Sequence, residues 1–311
     1  MAGIHFETAS QLLELAQERH LSISELVIEN ECQSTEASRD EVWQTMSHNL
    51  AVMREAVKEG LSGEIRSASG LVGGQARLLE DARLAGKTLS KGLFARAAAL
   101  ALAVSEVNAG MGRIVAAPTA GSAGVLPGAL LAAGEELGAS QEELIRALFT
   151  AAGIGMVIGR RVPLAGAVAG CQAECGSASA MAAAAVTELA GGTPFQAVNA
   201  AAIALQNMLG TVCDPVAGLV EIPCIKRNAS GAVNALISAE MALAGIINVI
   251  PLDEVVMAMD EIGRALPCEL RETSGGGLAV TPTGLRIRRQ LALDTDVQAS
   301  RSPGMDENDD G

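Results

Sequence analysis

Residues 170–178 read GCQAECGSA, and residues 213–232 read CDPVAGLVEIPCIKRNASGA. Between them, Leu189 to Val212 carries no charged residue and no strict polar–apolar alternation. Alternation with a period of two marks a half-buried strand, so its absence favours a helix over a β-strand. Thr193-Pro194 with Gln196 combines an N-cap hydroxyl, proline at the first helical position and a reciprocal capping pair. This predicts a buried helix over 194–212.

The same reading extends outward. Thr8 with Gln11, Ser22 with Glu25, Ser38 with Glu41 and Ser140 with Glu143 each place a hydroxyl three residues before Glu or Gln. In that spacing each side chain satisfies a free backbone amide of the other residue. Helices are predicted over 9–19, 23–31 and 39–59, and from 141 to about 158. Further helices are predicted over 75–84, 93–109, 230–247 and 252–265. Residues 117–127 and 266–284 read as loops rich in glycine and small hydroxyl residues. No Asn-Gly or Asp-Gly hairpin separates apolar runs. The fold class is therefore all-α.

Aromatic residues make up 2% of the 311 residues and glycine occurs 34 times. A core of this composition is packed from small side chains, which lets helices approach closely. Residues 1–66 are expected to form a helical segment packing on a compact multi-helix core over 67–292. The acidic stretch 293–311 is expected to be a disordered tail. Phe6 and Trp43 are expected to anchor packing.

The net charge of −14 disfavours nucleic acid and an anionic membrane surface, both of which would repel it. A mean hydropathy of +0.31 raises a membrane-spanning alternative. The uncharged run from Leu189 is long enough to span a bilayer, but it contains Gln196, Asn199, Gln206 and Asn207 and is rich in alanine. A buried helix is the better reading, with no membrane partner. The opening MAGIHFETASQ has neither a basic n-region nor an apolar h-region. The expected location is cytoplasmic, where six cysteines read as thiols or ligands rather than disulfides.

Four cysteines lie in the quoted stretches: Cys171, Cys175, Cys213 and Cys224. Their spacing matches neither a ferredoxin nor a paired zinc motif. On spacing alone, buried thiols and a metal site both remain open. The surrounding motifs go further. GCQAE, CDPVAGLVEIPC, IKRNASGA, APTAGSAGVLP and SGLVGG together resemble the α chain of the iron–sulfur-dependent L-serine dehydratases, from about Ser67 to Arg289.

The resemblance implies an L-serine ammonia-lyase that converts L-serine to pyruvate and ammonia by β-elimination. It implies a 4Fe–4S cluster on Cys171, Cys213 and Cys224, with one iron open to substrate. Cys175 is outside that ligand set. Ser69, Thr119, Ser122, Asn228 and Ser230 are candidate substrate contacts, each with a turn or capping role as the alternative. Lys226 and Arg227 are candidates for the substrate carboxylate. Glu174, Asp214 and Glu221 either meet the ammonium or cap helices.

Alternatives are a related cluster-dependent lyase acting on L-cysteine or L-threonine, and a non-catalytic helical protein with structural cysteines or zinc. The base that removes the Cα proton is missing from the pattern. Residues 67–289 hold no His and no Tyr, and Lys87, Lys91 and Lys226 would need desolvation to act near neutral pH. His5, His20 and His48 compete with a second possibility implied by the resemblance: a β chain that brings a histidine to a shared cleft.

Overall fold

The computed structural model describes residues 4–90 and 92–301, with residues 293–301 described as helix only. Thirteen α-helices run in order among them: α1 (Ala9–Arg19), α2 (Ile23–Thr35), α3 (Arg39–Gly60), α4 (Gln75–Leu84), α5 (Leu93–Ala109), α6 (Val125–Leu137), α7 (Gln141–Gly159), α8 (Gly166–Ala169), α9 (Ser177–Leu189), α10 (Pro194–Gln206), α11 (Cys224–Leu243), α12 (Leu252–Ala265) and α13 (Pro282–Arg301). The only β pairing among the described residues is an isolated bridge between Cys213 and Arg271.

The capping pairs start helices where the sequence predicts. Ser38, Ser140 and Thr193 each form a reciprocal box, while Thr8 and Ser22 accept from the third following amide. Each cap contributes about 1 kcal/mol to its helix.

α9 lies at the centre, packed against α6, α7, α10 and α11. Its residues Ser177 to Thr187 are all buried. A helix apolar on every face belongs inside a protein, and SASAMAAAAVTEL has small side chains on every face. α5 forms a second axis, against α3, α4, α6 and α11. Residues 4–66 join the same core: α2 packs on α7, and α3 packs on α5 and α7. One apolar cluster runs from Ile4 to Met259. Phe6 is fully buried beneath the Arg160 guanidinium, and Trp43 lies between Phe149 and Arg146.

Several expectations are corrected. The helix expected over 194–212 stops at Gln206. The chain then turns, and Gly210 N–H donates to Gln172 Oε1 at 2.8 Å. The helix expected from 230 begins at Cys224, directly after Pro223, and ends at Leu243. Lys226, Arg227, Asn228 and Ser230 therefore sit on a helix and not on a loop. α2 continues to Thr35.

Four helices, α6, α8, α9 and α13, lie where no helix is expected. Runs of Ala, Gly and Ser give no periodic signal. Pro127 in the first turn of α6 is also compatible with a helix, because its missing N–H has no partner there. α13 extends to Arg301, past the expected start of the tail at 293. Lys91 and residues 302–311 lie outside the described residues. No helix among the described residues is long and apolar enough to cross a membrane.

Candidate active site

Three cysteines reach one cavity from three separate elements. Cys171 heads a π-helical turn, Gln172–Gly176, that runs into α9. Cys213 follows the broken end of α10, and Cys224 is the first residue of α11. All three line a cavity of about 210 Å³. Thr119, Ala120 and Gly121 form one wall, and Glu174, Pro215, Val220 and Glu272 complete the lining.

Backbone pairing places the Cys213 segment. Cys213 N–H donates to the Leu270 carbonyl at 2.9 Å, and Glu272 N–H donates to the Cys213 carbonyl at 2.7 Å. This bridge brings Glu272 to the cavity, with its φ at +64°, an uncommon region for a residue with a side chain. Gly166 lies against Glu174 and Cys213. A Cβ there would collide with the Glu174 carboxylate and come within 3.0 Å of Cys213 Sγ.

Electrostatics differ among the thiols. The Cys175 thiol donates to the Cys171 sulfur and draws the Cys171 pKa down, with help from the Arg227 charge. Cys175 is pushed up by the same bond and by burial. Burial pushes the Cys213 thiol up, and pushes Cys224 up to about 12. Burial also raises Glu174. Donation from Thr119 opposes that rise, and the Glu272 charge adds to it.

The residues singled out in the sequence divide into two groups. Cys171, Cys213, Cys224, Thr119 and Glu174 line the cavity. The others do not. Cys175 is fully buried behind Cys171. Ser69 donates to Glu221 Oε2 at 2.6 Å, which engages both residues with each other. Ser122 contacts Thr119 Oγ1 at 3.2 Å from within its own turn.

Asn228 donates to the carbonyls of Gly121 and Cys224 and accepts from Gly124 N–H. It thereby pins the 119–124 turn to α11. Ser230 is exposed and donates to the Lys226 carbonyl. Arg227 donates to the Val212 carbonyl and pairs with Asp214, so its guanidinium is held within the protein. His5, His20, His48, Lys87 and Lys226 are exposed and line no part of the cavity. Glu272 is the ionisable lining residue that the sequence reading misses. Its place depends on the bridge to Cys213, which no local pattern announces.

The donor set suits an iron–sulfur cluster. Thiolates are soft ligands that select clusters, zinc and copper(I). Among the described residues no three His, Cys, Asp or Glu side chains form a site for a single metal ion. A cluster takes each thiolate on a different iron, and here three thiols from separate elements line one cavity.

Residues 18–279 match the family model described as serine dehydratase alpha chain. A probable L-serine dehydratase alpha chain of Bacillus subtilis is 52% identical over 286 residues, covering 92% of this chain and 95% of that protein. The L-serine dehydratase alpha chain of Peptoniphilus asaccharolyticus is 44% identical, covering 93% of this chain and 99% of that one. The L-serine dehydratase of Streptomyces coelicolor is 39% identical over 88% of this chain, which spans 61% of that longer protein. By the extent of these matches, the chain belongs to the serine dehydratase alpha chain family.

Proposed function

We propose that this chain is the α chain of an L-serine ammonia-lyase, with a 4Fe–4S cluster on Cys171, Cys213 and Cys224 and a separate β chain completing the site. The observation that carries the proposal is the convergence of three thiols from three elements on one cavity that also holds two carboxylates. A cluster bound there supplies a Lewis-acid iron that assists departure of the hydroxyl from Cβ.

The chain's own residues supply the rest of the wall. Glu174 and Glu272 provide negative charge for the substrate ammonium. Thr119 orients Glu174 through its 2.7 Å hydrogen bond. Pro215 and Val220 supply the apolar surface that limits water. The loop from Thr119 to Gly121 closes one side, held to α11 by Asn228.

No His, Lys or Tyr lines the cavity among the described residues. We assign the base for the Cα proton to the β chain. One observation favours a second reading: burial raises Glu174, which makes its carboxylate a stronger base.

The test is anaerobic reconstitution of this chain with iron and sulfide, followed by pyruvate formation from L-serine, L-threonine and L-cysteine, with and without the β chain. Turnover with serine only in the mixture supports the shared site. Full turnover by this chain alone moves proton abstraction to Glu174. A chain that takes up no iron refutes the cluster.

A further inference from the structure

Cys213 lies in an irregular segment, whereas Cys224 opens a long helix. Something must hold the two at a constant separation. Arg227 stands one turn beyond Cys224 on α11. One of its guanidinium nitrogens donates to the Val212 carbonyl at 2.7 Å, and the other pairs with Asp214 Oδ1 at 2.8 Å. These two partners flank Cys213 on either side.

Asp214 is itself fixed. Its side chain is 3% exposed, and its other oxygen accepts from Leu278 N–H at 2.7 Å. The loop carrying Leu278 approaches closely enough that a Cβ on Gly277 would run into the Asp214 carboxylate.

We infer that Arg227 is a positioning residue that clamps the Cys213 segment to the Cys224 helix, and so sets the spread of the thiols that receive the cluster. This rests on the cluster reading above. The geometry requires an arginine. A planar fork reaches a carbonyl and a carboxylate that flank one residue, and a lysine ammonium on a flexible stem holds one point. Residues that orient metal ligands from behind typically change metal affinity by about 10- to 100-fold when replaced. Arg227 acts through Val212 and Asp214, and the inference gives it no contact with substrate.

The experiment uses the reconstituted full chain and reads three quantities: iron transfer to a chelator, alkylation of Cys213 in the metal-free chain, and the thermal midpoint. Arg227→Lys is expected to release iron at least ~10-fold faster than wild type, and to expose Cys213 to faster alkylation. Asp214→Asn, which keeps the shape and weakens the ion pair, should give a smaller change in the same direction.

Arg96→Lys is the control for simple loss of a partly buried ion pair, since Arg96 bridges Glu80 and Glu135 on α4 and α6. Iron release by Arg227→Lys equal to wild type overturns the inference. Release raised only as far as Arg96→Lys raises it, at a matching loss of thermal midpoint, also overturns it. If Arg227→Lys fails to fold, Asp214→Asn decides by the same comparison. Absence of iron uptake by wild type is a different outcome, and it refutes the cluster reading itself.

Discussion

Thr119 Oγ1 donates to Glu174 Oε1 at 2.7 Å, joining two residues 55 positions apart in the chain. Both line the cavity, and the bond opposes the rise that burial imposes on the Glu174 carboxyl. It ties the small-residue turn after α5 to the turn that carries Cys171.

Thr119→Val keeps the shape and removes the donor. Loss of a hydrogen bond to a buried charged group costs about 1.5–3 kcal/mol, or roughly 10- to 150-fold in kcat/KM. Iron content should stay unchanged, and Thr119→Ser should restore most activity. Without the donor, Glu174 rises further, so the acidic limb of the pH–activity profile moves to higher pH. An unshifted limb with unchanged kcat/KM counts against Glu174 acting as a carboxylate.

Cys171→Ser, Cys213→Ser and Cys224→Ser should each lose the bound cluster, because each removes a thiol from the cavity wall. Cys175→Ser should retain it, since Cys175 lies behind Cys171. Iron and sulfide per chain, measured after anaerobic reconstitution, check this. Equal loss in Cys175→Ser overturns the ligand assignment.

Glu106 is buried at 1% exposure and accepts from Gly74, Gln75 and Ala76 N–H, the free amides at the start of α4. Glu106→Gln should cost about 1–3 kcal/mol through poorer satisfaction of those amides. Burial raises the Glu106 carboxyl above 4.5, and the backbone donors only partly oppose it.

A carboxyl raised on folding holds its proton more tightly in the folded state. Its contribution to stability is therefore greatest below pH 4.5 and declines as pH rises through the raised value. Urea unfolding of both proteins across this range should show the gap narrowing with rising pH. A gap that widens instead refutes the assignment.

Gly277 has φ of +58°, and Asp214 occupies the space that a Cβ would need. Gly277→Ala should destabilise the fold by about 1–3 kcal/mol, from backbone strain and displacement of a buried carboxylate. Urea unfolding measures the loss. Unchanged stability would mean that the loop relaxes freely around Asp214.

Local chemistry determined much of this fold by itself. Hydroxyl–carboxylate and hydroxyl–amide pairs placed the starts of α1, α2, α3, α7 and α10, because a capping interaction spans only three residues. The small-residue composition indicated close helix packing, and the quoted motifs named the three cysteines that share the cavity.

Tertiary structure decided what depends on distant partners. α6 and α9 are helices because they are buried among other helices, and Ala- and Gly-rich runs carry no period to show it. Asn228 and Arg227 resemble ligand contacts in sequence, yet in the fold Asn228 donates to Gly121, and Arg227 donates to Val212 and ion-pairs with Asp214. Glu272 joins the cavity through one bridge to Cys213. A polar side chain's role follows from which buried partner it meets first, and only the packed chain determines that meeting.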